Sequence, residues 1–300
     1  MFFHAYFELL FAYMQFLLYL CMLYLLFVIC HLRLEKTMKR IIFYISALVV
    51  IAGYSVPAFS WGQKGHRIIA EIAYDNLNRK SRKQVDKTLG KHGMIYWSNW
   101  ADEIKSDTIY PDSYDWHFQD FDGGLSDSTV VDALIHYPKE GGNLFRALDS
   151  LVKVQKDKEV QDKVHTLRFI IHLCGDRFCP MHTARMDDKG GNMVKMKWFG
   201  ESTNLHTVWD THLIESQGYS YSEYARKLER QYAHEKRVIE QMTESELLLQ
   251  NYHLTEAIYA YQAVWDGNTY HYIYRWRQPM EYQLYVAGIR LAKLLNSIYK

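Results

Sequence analysis

The stretch His172-Leu-Cys-Gly-Asp176, followed by His182, places an imidazole and a carboxylate four residues apart, and Asn204-Leu-His206-Thr-Val-Trp-Asp210 repeats that spacing. On a helix, residues i and i+4 project from one face about a turn apart, so each pair can chelate a single cation. Helices therefore do the positioning, and the expected fold class is mainly α. Imidazole together with carboxylate suits zinc, whereas calcium or magnesium would call for oxygen alone and softer sites for thiolates. Three further segments carry donors of the same kind: Trp61-Gly-Gln-Lys-Gly-His66, Trp100-Ala-Asp102 and Trp116-His117-Phe118. Together the five segments imply a hydrolase that uses several zinc ions.

Helical periodicity continues outward from these segments, with no repeat, long linker or low-complexity run after residue 61, so one domain over 61–300 is the economical reading. Residues 66–79 carry Ile68, Ile69, Ile72, Ala73 and Leu77 at helical spacing, and Ser81 reads as the N-cap of a helix that stops at Gly90. Further helices are predicted at 142–156, 160–175, 203–216, 220–232, 244–265 and 280–298, the last with Leu284, Ala287, Ile289, Leu291, Leu294 and Leu295 on its apolar face. Asn192-Met-Val-Lys-Met-Lys-Trp198 alternates instead, after Gly190 and Gly191, and reads as a short hairpin or extended loop.

The first 60 residues contain two apolar stretches. Residues 38–60 run from Met38-Lys-Arg40 through a nearly uncharged core to Ala58-Phe-Ser60, the layout of a secretory signal peptide. Cleavage after Ser60 would make Trp61 the new N-terminus. Residues 1–37 form an apolar extension, read as the product of a start site placed too far upstream; a transmembrane anchor is the alternative, since the stretch is long enough to span a bilayer. After such cleavage only Cys174 and Cys179 remain, so the 240 residues of 61–300 are no disulfide scaffold. The pair can form one local bridge or stay as free thiols; geometry decides. The absence of Asn-x-Ser/Thr sequons points away from a eukaryotic secretory route and towards a bacterial periplasm or exterior.

The full chain has a net charge of +1, and residues 1–60 hold four basic and two acidic side chains, which leaves −1 for the rest. Tight non-specific binding of nucleic acid through many neutralised phosphates is thereby excluded, although bound zinc would supply positive charge where a phosphate sits. The eight Trp and 24 Tyr are read as core and helix-interface packing rather than as a nucleic-acid platform. His92, His136, His165, His212, His234, His253 and His271 belong to no motif and are read as ordinary structural histidines.

Taken together, Trp61 to His66, the Trp-Ala-Asp102 and His117-Phe118 elements, His172 with Asp176 and His182, Gly-Gly-Asn192, and Asn-Leu-His206 with Asp210 resemble the secreted zinc-dependent single-strand nucleases of fungi, plants and bacteria. That family also has 3'-nucleotidase activity and is related to the zinc phospholipases C. The resemblance runs to the terminal Ala287-Gly-x-Arg290-Leu-Ala292 segment and implies a single-domain helical phospholipase C/nuclease-like fold. It implies three zinc ions: one on Asp102, His117, His172 and Asp176; a second on His182, His206 and Asp210; a third on the amine and carbonyl of Trp61, with His66 and a bridging Asp176. A free α-amino group loses its proton readily to a metal, which an internal amide cannot match, so cleavage after Ser60 would complete the third site.

By the same resemblance, single-stranded RNA and DNA and 3'-nucleotides are the substrates. The P–O3' bond would be cut to leave 5'-phosphates, with Asp102, Asp176 and Lys105 as catalytic residues. Phe118 would stack on a base, Asp120 and Asn192 would hydrogen-bond its edge, and Lys105 would lie near the phosphate. No stable protein partner is implied, and a monomer is expected. Ordinary packing is the alternative for Phe118 and Trp61, and a simple turn for Gly190 and Gly191. One departure stands out: the approach to His182 reads Cys179-Pro-Met-His182, where many relatives have Gln-Pro-Leu-His. Rival functions are a zinc phospholipase C and a secreted zinc-binding protein without turnover; Phe118 and Asp120 beside His117 favour the nuclease.

Overall fold

The computed structural model describes residues 61–105, 107–138 and 140–300; the apolar extension and the predicted signal peptide lie outside them. Helix α1 (Gln63–Asp75) starts directly after Trp61 and buries Ile68, Ile69, Ile72 and Ala73 on one face, while α2 (Arg79–Leu89) buries Val85 and Leu89. Each fully buried isoleucine contributes about 2 kcal/mol. The cap of α2 is Asn78, whose side chain accepts from the Ser81 amide at 2.9 Å, so Ser81 lies inside the helix, not before it. Short helices α3 (Gly93–Trp97) and α4 (Trp100–Ile104) follow, then α5 (Asp127–His136), α6 (Leu144–Lys156) and α7 (Val164–Asp176).

The alternating segment becomes a two-stranded antiparallel hairpin, β1 (Lys195–Trp198) with β2 (Glu201–Asn204), in the register Lys195 to Asn204 and Trp198 to Glu201. Asn192 remains in the loop before it. Residues 203 and 204, expected to open a helix, belong to β2, and α8 begins at Leu205. This helix is made of Leu205–Thr207, a π-helical turn Val208–His212, and Leu213–Glu215. Then come α9 (Tyr221–Tyr232), α10 (Lys236–Gln241), α11 (Glu244–Gln262) and α12 (Thr269–Ile298). Helices α9 and α11 each start on a capping box, Ser220 with Glu223 and Thr243 with Glu246, in which side chain and backbone satisfy each other's free donors.

The 30-residue α12 starts well before the expected residue 280 and carries Pro279 inside it. Pro279 removes one helical hydrogen bond, yet Tyr272 and Trp276 on its N-terminal side and Met280 and Leu284 beyond are all buried, and that packing holds the helix together. Helix α12 packs against α1, α7, α9 and α10, and α7 in turn against α4 and α6. At the α1 and α12 crossing a side chain on Gly288 would put a Cβ 2.6 Å from Ile72 Cγ2, so glycine there permits the close approach. The described residues thus form a mainly α fold with one hairpin. No helix among the described residues is long and apolar enough to cross a membrane.

Candidate metal centre and substrate cleft

Helix α7 has a partner on each side of its buried polar end. From α4, Asp102 Oδ1 lies 3.6 Å from His172 Nε2 and 3.7 Å from His117 Nδ1. Asp176 Oδ2 lies 3.4 Å from His172 Nε2 and 3.0 Å from His117 Nδ1. Donors 2.0 to 2.1 Å from a tetrahedral zinc stand about 3.3 Å from one another. The four carboxylate-to-imidazole separations, 3.0 to 3.7 Å, are therefore close to the spacing within one coordination shell. His117 comes from the short turn Ser113–His117, so three separate segments converge.

The other oxygen of the same carboxylate faces α1, at the start of the described residues. His66 Nε2 is 3.2 Å from Asp176 Oδ1, and the His66 ring stacks on His172 with centroids 3.8 Å apart. This stacking requires α1 to approach α7 at Gly175, where a Cβ would lie 3.0 Å from His66 Nδ1. Trp61 is fully buried; its indole Nε1 donates to the Gly175 carbonyl at 3.0 Å and its own carbonyl accepts from the His66 amide at 3.3 Å. The Gly62 amide donates to the Asp210 carbonyl at 2.7 Å, which ties the start of the described chain to α8. Trp61 thus sits between the two helices that carry the i,i+4 pairs.

A second group lies on α8 and the turn after α7. His206 Nε2 is 2.8 Å and His182 Nε2 3.8 Å from Asp210 Oδ2. The π-helical turn lies between His206 and Asp210 and still leaves both on one face; such turns recur at functional sites. Three ligand-type imidazoles have their Nδ1 committed to a backbone carbonyl: His172 to Ser98 at 2.7 Å, His182 to His117 at 2.5 Å and His206 to Gly190 at 2.7 Å. A carbonyl can only accept, so each Nδ1 carries a proton and Nε2 is the ring nitrogen left to face a metal, the arrangement that orients metal-binding histidines.

These groups fit a cation. Of the atoms that face these groups, His172 Nε2, His182 Nε2 and Asp210 Oδ2 are buried without a hydrogen-bond partner, an uncommon state for buried polar atoms. Atoms of His117, His172 and Asp176, and of Cys179, His182 and Asp210, lie within 4.8 Å of one another. Burial alone would raise the Asp176 carboxyl, but His172 and then His182, with hydrogen bonds from His117 and His66, hold it well below the usual range. Asp102 is held low in the same way, against burial, by His172, His117 and Lys105. Buried carboxylates that stay ionised need positive charge beside them, which a bound metal supplies.

Above these groups opens a cleft of about 990 Å³ lined by Asp102, Lys105, His117, Phe118, Asp120, His182, Asn192 and His206, among others. Lys105 Nζ is 3.4 Å from Asp102 Oδ1. Phe118 is extended and half-buried, and its ring meets Tyr114 edge to face at 5.9 Å. Asp120 is buried; burial pushes its carboxyl up to about 7 against the pull of His182 and His206, and its Oδ1 accepts from the Ala184 amide at 3.3 Å. Asn192 spends one amide hydrogen on the Lys189 carbonyl at 2.8 Å. All the expected site residues other than Trp61, His66, His172, Asp176 and Asp210 line the cleft, and those five are buried outside its lining.

Sequence reasoning missed Tyr114, Tyr137, Arg146 and Lys189 on the cleft wall, since single aromatic and basic residues carry no spacing signal. It also missed Asn251 of α11. This buried amide donates to the Arg177 and Cys179 carbonyls at 3.3 Å and to Thr183 Oγ1 at 2.8 Å, and receives Gln283 Nε2 at 3.0 Å, so it pins the turn that carries His182. Cys174 and Cys179 are free, buried thiols, which resolves the bridging alternative. Burial, then the Asp210 charge, push the Cys179 thiol well above its usual value, so it keeps its proton. Of the other histidines, His165 stacks on Trp100 and His212 on Trp198, while His136, His253 and His271 pair with nearby acids at the surface.

The S1/P1 Nuclease family model matches residues 61–300. Endonuclease 2 of Arabidopsis thaliana is 26% identical over 279 residues, covering 82% of this chain and 93% of that protein. Endonuclease 3 of the same plant is 27% identical over 290 residues, covering 85% and 95%. Nuclease S1 of Aspergillus oryzae is 27% identical over 171 residues, covering 55% and 58%. The converging carboxylates and imidazoles lie wholly inside the matched region, and the chain belongs to the S1/P1 nuclease family, a hydrolase acting on phosphodiester bonds.

Proposed function

We propose that the protein is a zinc-dependent phosphodiesterase that cuts the P–O3' bond of single-stranded RNA and DNA to give 5'-nucleotides, and that it also removes the phosphate of 3'-nucleotides. The observation that carries this reading is the set of four donor atoms from Asp102, His117, His172 and Asp176 at 3.0 to 3.7 Å, beside a cleft whose wall holds an aromatic ring and a buried acid. Asp102, His117, His172 and Asp176 would hold one zinc, His182, His206 and Asp210 a second, and Trp61, His66 and Asp176 a third. Bound there, zinc supplies Lewis acidity, which acidifies a water towards neutrality and draws charge from phosphoryl oxygens.

The chain's own residues do the rest. Asp176 ties two ligand groups together through its two oxygens, and Asp102 orients the attacking water from the cleft floor. Lys105, beside Asp102, places a positive charge at the phosphate. Phe118 receives one base on its face while Asp120 and Asn192 meet its edge. A base still stacked in a duplex cannot lie on Phe118, which is the physical route to single-strand preference. A protein that begins at Trp61, released by signal cleavage after Ser60 and exported to a bacterial periplasm or exterior as a monomer, completes this reading; residues 61–300 form its single catalytic domain.

The direct test incubates the protein with a single-stranded oligonucleotide, a 3'-nucleotide and phosphatidylcholine, with and without a chelator. Products bearing 5'-phosphates, lost on chelation and restored by zinc, are expected. Headgroup release instead, or zinc binding without any product, overturns the proposal. Phe118→Ala is expected to raise KM for single strands about tenfold with kcat little changed, because base stacking is worth roughly 1 to 3 kcal/mol. Steady-state kinetics on one oligonucleotide checks this, and an unchanged KM makes Phe118 a packing residue only.

A further inference from the structure

The carboxylate of Asp210 has two faces with different company. Oδ2 looks towards His206 Nε2 at 2.8 Å and His182 Nε2 at 3.8 Å, while Oδ1 lies 3.0 Å from Cys179 Sγ. The carboxylate has no hydrogen to give, so the thiol is the donor. Cys179 is itself fixed at both ends of its backbone. Its amide donates to the Asp176 carbonyl at 2.9 Å, and its carbonyl accepts from the His182 amide at 3.0 Å and from Asn251 Nδ2 at 3.3 Å. One residue thus touches three residues of the ligand set, two through the backbone and one through sulfur. All of it is fully buried, where a carboxylate oxygen has no water to turn to.

We propose that Cys179 is a positioning residue for the second metal group: its S–H holds Asp210 by Oδ1 so that Oδ2 is presented to the site shared with His182 and His206. Cys179 Sγ also lies within 4.8 Å of donor atoms of His182 and Asp210, and the proton that it keeps on the bond to Oδ1 makes it a donor to Asp210 rather than a ligand. The torsion that swings a carboxylate about its last bond is broad and has no sharply preferred setting of its own, so a partner on one oxygen decides where the other points.

This inference rests on the zinc reading above, and its test separates the two. Zinc affinity of the second group is measured by competition with a chromophoric chelator for the wild type, Cys179→Ala and Cys179→Ser, alongside thermal melting of the metal-free proteins. Loss of a partner that orients a ligand costs about 10- to 100-fold in metal affinity. The alanine variant is therefore expected to release its weakest zinc in that range, while serine, which keeps a donor, stays within a few-fold of the wild type. Cadmium-loaded wild type is expected to show no thiolate-to-metal absorption. Alanine binding zinc as tightly as wild type overturns the positioning role alone. Thiolate absorption with cadmium, or serine and alanine weakened equally, makes Cys179 a ligand and overturns it too. A wild type that binds no zinc removes the underlying reading instead. If the alanine variant does not fold, the serine variant and the cadmium spectrum still decide.

Discussion

Asp176→Asn is expected to lower turnover on single-stranded substrate by more than about a hundredfold and to remove zinc from two positions at once. Residues that merely orient a metal ligand already cost 10- to 100-fold when changed, and Asp176 stands between two ligand groups. Its Oδ2 lies 3.0 Å from His117 Nδ1 and 3.4 Å from His172 Nε2, and its Oδ1 3.2 Å from His66 Nε2. An asparagine of the same shape keeps one oxygen and turns the other into a donor, so only one of the two groups keeps an oxygen that can serve as a ligand, and that oxygen is neutral. The variant also loses the negative charge that the imidazoles around it balance. Metal analysis by mass spectrometry, paired with initial rates, separates this from a purely structural role. If Asp176 were only the hub of a buried polar network, the substitution would lower the melting temperature and leave zinc content and rate per folded molecule unchanged. Near-normal rates with full zinc content would end the shared-carboxylate mechanism.

Much of this arrangement was legible before any coordinates, and the reason is local. His172 with Asp176 and His206 with Asp210 depend only on helix geometry, which the apolar periodicity around them announces, and the alternation from Asn192 to Trp198 announced the hairpin. Whatever depends on tertiary contact was not legible. Asp102 and His117 reach α7 from segments too short to show a period, so their place rests on resemblance rather than on pattern. The π-helical turn at Val208–His212 leaves no trace in residue type. Cys179 meets Asp210 across 31 positions of sequence, and the Ser98 and Gly190 carbonyls that fix two imidazoles are backbone atoms any residue could supply. The last helix shows the opposite failure: its apolar periodicity is read only from residue 280, but buried Tyr272 and Trp276 extend the helix back to Thr269.

On the proposed reading, in which the active protein begins at Trp61, leaving even two residues before Trp61 is expected to cost one zinc per molecule and, with it, most of the turnover. The argument turns on one nitrogen. A free α-amino group has a pKa near 8 and gives up its proton to a cation at neutral pH, whereas an amide nitrogen in the middle of a chain has its lone pair delocalised into the carbonyl. The surroundings leave Trp61 little freedom to move away and let another group take its place. Its indole is locked to Gly175, the neighbour of Asp176, and the next residue's amide is locked to Asp210. An added Gly-Ser therefore blocks the amine without displacing the side chain, and the metal-free melting temperature should barely change. The comparison needs two preparations of one polypeptide, one with a protease site that leaves Trp61 first and one that leaves Gly-Ser before it. Three zincs and full activity are expected for the first, two zincs and a rate lower by about a hundredfold for the second, on the scale of losing part of a metal's support. Equal zinc counts and equal rates would show that Trp61 serves the core alone, and that His66 and Asp176 hold their metal, if any, without it.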